Sequence, residues 1–346
     1  MILTLNGSIK MARKRSLQAD KNDDTQLRHG YTRHEGVDMG DPTKDGTYQF
    51  GQVCPFFFSY EGVTIPLEGM YRGSSAFMVG GGPSLLKEKY EKLYLPGVLT
   101  FGMNNSAKLI RPNMWSCVDD PCRFLYSVWK DPQIMKFVPQ TSFGKQIWKS
   151  TVIKGKQMWE VAKKPDGHDE RVGDCPNVIG YRRNEKFHAA RFFTENTINW
   201  GCHKKYGGCR SIMLASIRIM FLLGIRKIYL TGVDLKMDDA NKYSFKEGRT
   251  KGAIKNNTHT YQRMLTEYFP QMKPEADKFG LEILCCNKES DICKIFPYIS
   301  FEDAIAEATK DIGNTADEKT EGMYLAIKEK TKHGTWEACC KATGAV

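Results

Sequence analysis

The chain reads as an α/β protein: a Rossmann-like, mostly parallel sheet with helices on both faces and an inserted lid. Three short segments predict this. Phe77-Met-Val-Gly-Gly-Gly-Pro-Ser-Leu85 is an apolar strand running into a glycine turn. Leu99-Thr-Phe-Gly-Met-Asn-Asn105 is an apolar strand ending in two amides, and Ile228-Tyr-Leu-Thr-Gly-Val-Asp234 is one ending in Gly-x-Asp. Strands of parallel sheets are buried on both faces and read as apolar runs. Polar groups just past their C-terminal ends are where open α/β sheets take ligands.

Residues 1–46 are polar and aperiodic and read as a flexible arm. A Rossmann-like domain spans 47–310, with order beginning between Tyr48 and Tyr60, where Cys54-Pro-Phe-Phe-Phe58 is too apolar for water. Ala76–Val79 is the first strand and Leu85–Leu93 the helix after it. Val98–Met103 and Trp115–Val118 are the next strands, the latter ending in Asp119-Asp120-Pro121. This alternation implies βαβ units with right-handed crossovers. Residues 122–205 are rich in Trp, Lys, Phe and Pro with weak periodicity. They read as a lid or acceptor-binding segment, or as an irregular flank of the same domain.

Ser211–Leu223 has apolar residues at helical spacing, and Gly224 suits its C-terminal cap. Lys227–Thr231 is the next strand, followed by a basic loop over Lys236–Thr260. His259–Phe279 is a helix that Pro270 and Pro274 kink or split. Leu281–Cys285 is the last strand. Ser300 caps a short helix, Phe301–Ala308. Residues 311–346 read as a peripheral helical tail.

With 41% hydrophobic and 11% aromatic residues among 346, the chain can bury a sizeable core. Its net charge of +11 favours acidic partners: nucleotides, phosphates, nucleic acid or an anionic surface. A solvated basic face is the plain alternative. The eleven scattered cysteines, with no secretory leader before them, point to reduced thiols and a cytoplasmic location. No apolar stretch reaches the roughly 20 residues of a membrane span. Ile212–Ile225 is shorter and holds Arg218, so it reads as a core helix.

Several residues are candidates for chemistry. Glycines Gly80, Gly81 and Gly82 let backbone N–H groups approach a phosphate or ribose, with Pro83 and Ser84 opening the next turn. A tight turn without a ligand is the alternative. Asn104 and Asn105 offer donors and acceptors to a base edge or ribose, or else cap a helix. Asp119 and Asp120 suit Mg²⁺ held with phosphates, or a cap at Pro121. Asp234 binds a ligand or ties loop N–H groups in place, the second being favoured. His259, placed in a loop past the Gly232-Val-Asp234 strand end, has the pKa range of a general base. Cys202, His203 and Cys209 lack the spacing of a zinc site. Lys145, Lys149, Lys154 and Lys156 interleave with Trp148 and Trp159, a stacking-plus-charge pattern suited to DNA or another polyanionic acceptor. A solvated lid is the favoured alternative there.

Taken in order, Gly80-Gly-Gly-Pro-Ser-Leu85, Gly102-Met-Asn-Asn105, Phe221-Leu-Leu-Gly224, Ile228-Tyr-Leu-Thr-Gly-Val-Asp234, Tyr243-Ser-Phe245 and the His259-to-Cys285 stretch resemble the small bacterial CMP-sialic-acid-dependent sialyltransferases. The resemblance covers roughly residues 74–120 and 207–290. The related 6-hydroxymethylpterin diphosphokinase-like family shares the glycine turn and the Gly-x-Asp strand end. What the resemblance implies is a glycosyltransferase-like enzyme moving a sugar from a nucleotide donor to an acceptor hydroxyl. The glycine turn and Asn104 would hold the nucleotide, Tyr243 would contact the departing phosphate, and a histidine, His259, would serve as base without a metal. The diphosphokinase-like alternative uses ATP and Mg²⁺, with Asp119 and Asp120 at the metal. A third reading is a binding module without catalysis. The chain departs from the sialyltransferase pattern at Gly81, where the family has Asn, and at Asp119-Asp120. The family's second phosphate-binding tyrosine falls near Lys236, a cation that would meet phosphate in its place, and an ungapped register sets the base position near Arg263.

Overall fold

In the computed structural model the described residues are 56–313, apart from 155, 185, 204–205, 207, 238–242, 246 and 248–250, together with residue 317. The expected arm, 1–46, lies outside them, as does nearly all of the expected tail, 311–346. The chain divides into two units, Met1–Ala308 and Thr309–Val346, and the sheet belongs to the first.

Ten strands are present among the described residues: β1 (Phe57–Phe58), β2 (Ser75–Val79), β3 (Thr100–Met103), β4 (Met114–Ser116), β5 (Met135–Pro139), β6 (Trp148–Ile153), β7 (Lys156–Val161), β8 (Val178–Tyr181), β9 (Lys227–Thr231) and β10 (Glu282–Cys285). Eight of them form one sheet in the order β1-β8-β5-β4-β3-β2-β9-β10. All its pairings are parallel except β1 against β8 at the edge. The protein is therefore α/β with a mostly parallel, Rossmann-like sheet. The chain steps outward from β2 through β3, β4, β5 and β8. It then returns to β9 on the other side of β2, so the strand order reverses between β2 and β9.

Side chains alternate across a strand, and this alternation sorts the two helical layers. Ala76 and Met78 of β2, Ile228 and Leu230 of β9, and Ile283 and Cys285 of β10 share one core with helix α2 (Ile212–Leu222) and with α4 (Phe269–Lys278). Phe77, Val79, Tyr229 and Leu284 point the other way. They pack with Leu85, Leu93 and the helix α5 (Phe301–Thr309). Helix α1 (Tyr126–Lys130) adds Val128 and Trp129 to a third cluster around Trp115.

Several expectations are corrected. The connection after β2 is two 3₁₀ turns, Pro83–Lys87 and Tyr90–Tyr94, because Glu88 between them is extended and the run Lys87-Glu88-Lys89 has no apolar side to bury. Residues 122–205 supply two strands of the main sheet, β5 and β8, so the segment is in part a flank of the same domain rather than wholly an inserted lid. What stands apart there is the antiparallel hairpin β6–β7. The loop expected over Lys236–Thr260 ends early: helix α3 runs Lys251–Arg263. A single π turn, Met264–Tyr268, joins it to α4, so the helical path widens just before Pro270, and Pro274 lies inside α4.

Helix α2 is buried on every side from Met213 to Leu222, including Arg218, as an all-round apolar helix should be. Arg218 Nη2 donates to the Glu195 carbonyl at 2.7 Å. The Glu195 carboxylate accepts from the Asn184 amide and from Asn199 Nδ2 at 3.2 Å. Burial pushes this carboxyl up to about 7, against the lowering pull of those amides and of Arg218. A folded-state pKa above the ordinary 4.5 means that the group's stabilising effect is complete below about pH 4.5 and lost as pH rises through about 7. We expect Glu195→Gln to melt with the wild type at pH 4.5 and to be the more stable by about 3 kcal/mol at pH 8. Melting curves of both proteins across that range check this, and a pH-independent difference would refute it.

Candidate functional site

The C-terminal ends of β2 and β9 meet where the strand order reverses, the usual place for a ligand crevice in such sheets. Here the glycine turn runs against the end of β9. Gly80 N–H donates to the Thr231 carbonyl at 2.8 Å and Gly82 N–H to the Gly232 carbonyl at 2.7 Å. The approach is too close for a side chain. A Cβ on Gly80 would lie 2.3 Å from the Gly232 oxygen, and one on Gly82 would lie 2.5 Å from Asp234 Oδ2.

Asp234 closes the turn. Its Oδ2 accepts from Ser84 N–H at 3.0 Å, and its Oδ1 accepts from the Ser84 hydroxyl and from Asn287 Nδ2 at 2.9 Å. Ser290 Oγ adds hydrogen bonds to the carbonyls of Val233 and Asp234. A carboxylate thus sits at the start of the 3₁₀ turn, where the sequence pattern places a nucleotide phosphate. Gly80, Gly82, Ser84 and Asp234 act here as a lock on the turn rather than as a row of open donors. Gly81 differs: its N–H has no partner among the described residues.

A segment from beyond β9 covers Gly81. Ser244 N–H donates to the Gly81 carbonyl at 2.9 Å. Tyr243 and Phe245 stack on each other with centroids 5.0 Å apart and planes 7° apart. A Cβ on Gly81 would come within 3.1 Å of Phe245 and 3.2 Å of Tyr243. An asparagine here would meet those rings, which gives a physical reason for glycine where the resembling family has Asn. Two residues on, Glu247 accepts from Asn105 Nδ2 at 2.9 Å and pairs with Lys108 at 3.1 Å. Lys108 also lies 5.2 Å from the Phe245 ring centre. Residues 243–245 and Glu247 therefore tie the end of β2 to the end of β3.

Asn104 is the strained member. Its φ is +49°, in the left-handed region, and its carbonyl accepts from Trp115 Nε1 at 2.7 Å. Its side-chain oxygen is buried with no hydrogen-bond partner. An orphan buried acceptor costs about 1–3 kcal/mol until a donor meets it. Strain of this kind concentrates at binding and catalytic sites.

The other candidates are scattered. Asp119 is half-exposed and pairs with Arg123 at 2.6 Å, and Asp120 precedes the Pro121–Arg123 turn. No group of three metal-ligating side chains occurs among the described residues. Lys236 is exposed, and its charge helps hold the Glu289 carboxyl below its usual range, after the larger effect of Lys87. His259 lies on an exposed turn of α3, not in a loop, because the helix begins eight residues before it. Arg263 clamps Glu267 with Nε at 2.9 Å from each carboxylate oxygen, which leaves it no basic atom. His259 and Arg263 thus belong to α3 rather than to the strand ends that form the crevice.

Sequence reasoning missed Asn287 and Glu247, and singled out Tyr243-Ser-Phe245 without its cover over Gly81. Asn287 follows Cys285-Cys286 just past β10, so the strand-end rule that marks Asn104 marks it too. Glu247 carried no local signal, because it finds its partners Asn105 and Lys108 more than 130 residues away. All eight cysteines among the described residues are free, and no helix there is long and apolar enough to cross a membrane. No family model, curated protein or solved structure matches this chain.

Proposed function

We propose that the chain is a glycosyltransferase-like transferase that takes an activated nucleotide donor in the crevice at the ends of β2, β3 and β9. The observation that carries this reading is Asn104, a strained residue with an orphan buried acceptor, one strand from the point where the sheet order reverses. A nucleotide supplies what it lacks: an exocyclic amine or ribose hydroxyl as donor. The Gly81 N–H is available to a ribose or phosphate oxygen, and the Tyr243 hydroxyl is suited to donate to the departing phosphate. Transfer then forms one glycosidic bond to the acceptor oxygen as the bond to phosphate breaks, and the acceptor proton passes to a base. His259 is the base that the resemblance offers.

The Mg²⁺-dependent diphosphokinase-like alternative needs converging acids. Asp234 is engaged by Ser84 and Asn287 and Asp119 by Arg123, so the metal-free reading is preferred.

The test is a thermal-shift and calorimetric panel of CMP, UMP, GMP, AMP and their sugar and triphosphate forms, with and without Mg²⁺. One nucleotide series is expected to bind without metal. Asn104→Gly, which accepts the positive φ, is expected to leave the unliganded protein as stable as before, while weakening that nucleotide about tenfold. Stabilisation by a triphosphate with Mg²⁺ alone moves the assignment to the diphosphokinase-like reading. Silence across the panel refutes both.

A further inference from the structure

The hairpin β6–β7 is a second surface, separate from the crevice in its chemistry. Its two strands pair with each other and with no strand of the main sheet. Its base is fixed. Ile147 and Ala162 are buried with Val172 in the cluster around Trp115 and Trp129. Ile147 N–H bonds the Glu170 carbonyl at 3.0 Å, and Val172 N–H the Lys145 carbonyl at 2.9 Å. The outer half is bare: Val152 is 74% exposed, Ile153 50% and Trp159 41%.

Charge is concentrated here. Between Lys145 and Lys164 stand six lysines against one glutamate, close to half of the chain's net charge of +11. Near the base three of these lysines are matched: Lys149 pairs with Glu160, Lys163 with Asp169 and Lys164 with Asp174. At the tip they are not. Lys154 and Lys156 are exposed and have no ion-pair partner among the described residues. Lys154 has φ +51°, at a hairpin connection that favours Asn, Asp or Gly. A cation stands where turn chemistry alone would choose another residue.

The register puts Val152 and Trp159 on one face with Trp148 and Val161, since directly paired residues share a face. The result is a ribbon six residues long, roughly 20 Å, with a cationic tip and a face of Trp148, Val152, Trp159 and Val161 interrupted by Ser150 and Gln157, while β6 runs beside α1 and the Pro121–Arg123 turn. A two-stranded ribbon of this kind fits the ~12 Å major groove of a B-form duplex. A bilayer fits less well, because the leading residues are lysines, and Ile153 and Val152 could reach hydrocarbon only by taking those charges in with them. We propose that the β6–β7 hairpin docks in the groove of a DNA duplex, with Lys154 and Lys156 on phosphates and Val152 and Trp159 against base edges. This does not rest on the transferase reading.

Fluorescence anisotropy of the full chain with a labelled mixed-sequence 20-base-pair duplex tests it, read against salt. Lys154→Gln/Lys156→Gln is expected to weaken duplex binding at least tenfold near 0.1 M salt. It should also flatten the slope of log affinity against log salt by about 2, one unit for each phosphate no longer neutralised. Trp159→Ala is expected to weaken binding several-fold with the slope unchanged. Unchanged melting temperatures show that both variants are folded. The proposal fails if the double variant binds as the wild type does, or if a single-stranded 20-mer binds more tightly than the duplex. It also fails if phosphatidylserine vesicles capture the protein and the duplex does not compete.

Discussion

Asp234→Ala is expected to lower stability by about 3 kcal/mol, because three donors lose one acceptor at once and each orphan costs on the order of 1 kcal/mol or more. The donors are the Ser84 N–H, the Ser84 hydroxyl and the Asn287 amide. Ser84 is buried, so water cannot fully replace the carboxylate. For a domain of this size the melting temperature should fall by roughly 5–10 °C. Asp234→Asn should be intermediate, since it retains one acceptor oxygen but presents an NH₂ group to donors. Gly82→Ala tests the same lock from the other side. Its new Cβ would sit 2.5 Å from Asp234 Oδ2 and 2.7 Å from the Gly232 carbonyl, so the turn or the carboxylate must move. Each single change should also weaken nucleotide binding, because Gly81 is held between Gly80 and Gly82. Gly82→Ala combined with Asp234→Ala should cost less than the sum of the two, since the clash with the carboxylate disappears. Additive losses, or a fall below about 2 °C for Asp234→Ala, would show that the lock is not what fixes the turn.

What the sequence revealed and concealed follows from how local each signal is. β2, β3, β9 and β10 were legible because each is an uninterrupted apolar run with its turn residues beside it. The extent of α2 was legible because Ser211 and Gly224 punctuate it and every residue between is apolar except Ser216 and Arg218. β5 was hidden by Lys136, which breaks its apolar run. In the fold that lysine is fully buried, and its ammonium donates to the carbonyls of Asp131, Ile134 and Pro176, partners that no local pattern announces. Burial pulls its pKa down to about 8. The candidate site divides in the same way. Glycine turn, Asn104 and Asp234 were visible as strand ends, and the tie from Asp234 to a loop N–H was expected, but its partner Asn287 lies 53 residues away and was not. The placement of His259 in a loop failed because α3 is strongly polar, with only Ala253, Ile254 and Tyr261 to mark a helical spacing.

Arg218→Ala is expected to cost about 3–5 kcal/mol, the range for removing one member of a buried charged pair and for emptying a large buried side chain. The guanidinium is fully buried, reaches the Glu195 carbonyl at 2.7 Å and lies 5.2 Å from the Phe56 ring centre and 5.7 Å from that of Phe221. Two effects are mixed in that loss, and they can be separated. Arg218→Met keeps most of the volume, so it should cost less than half as much if the cavity dominates. If charge dominates, Met should be nearly as harmful as Ala at pH 8, and much less so at pH 5. The reason is that Arg218 pulls the Glu195 carboxyl down while burial pushes it up. Without the arginine the carboxyl rises further, and the pH window over which stability is lost moves above 7. Glu195→Gln in the Arg218→Met background removes the group that titrates, and should restore at pH 8 whatever the charge term took away. Melting curves of the three proteins at pH 5 and pH 8 decide between packing and charge. A pH-independent loss in Arg218→Met, not rescued by Glu195→Gln, would mean that Arg218 serves the core as volume and that Glu195 titrates without it.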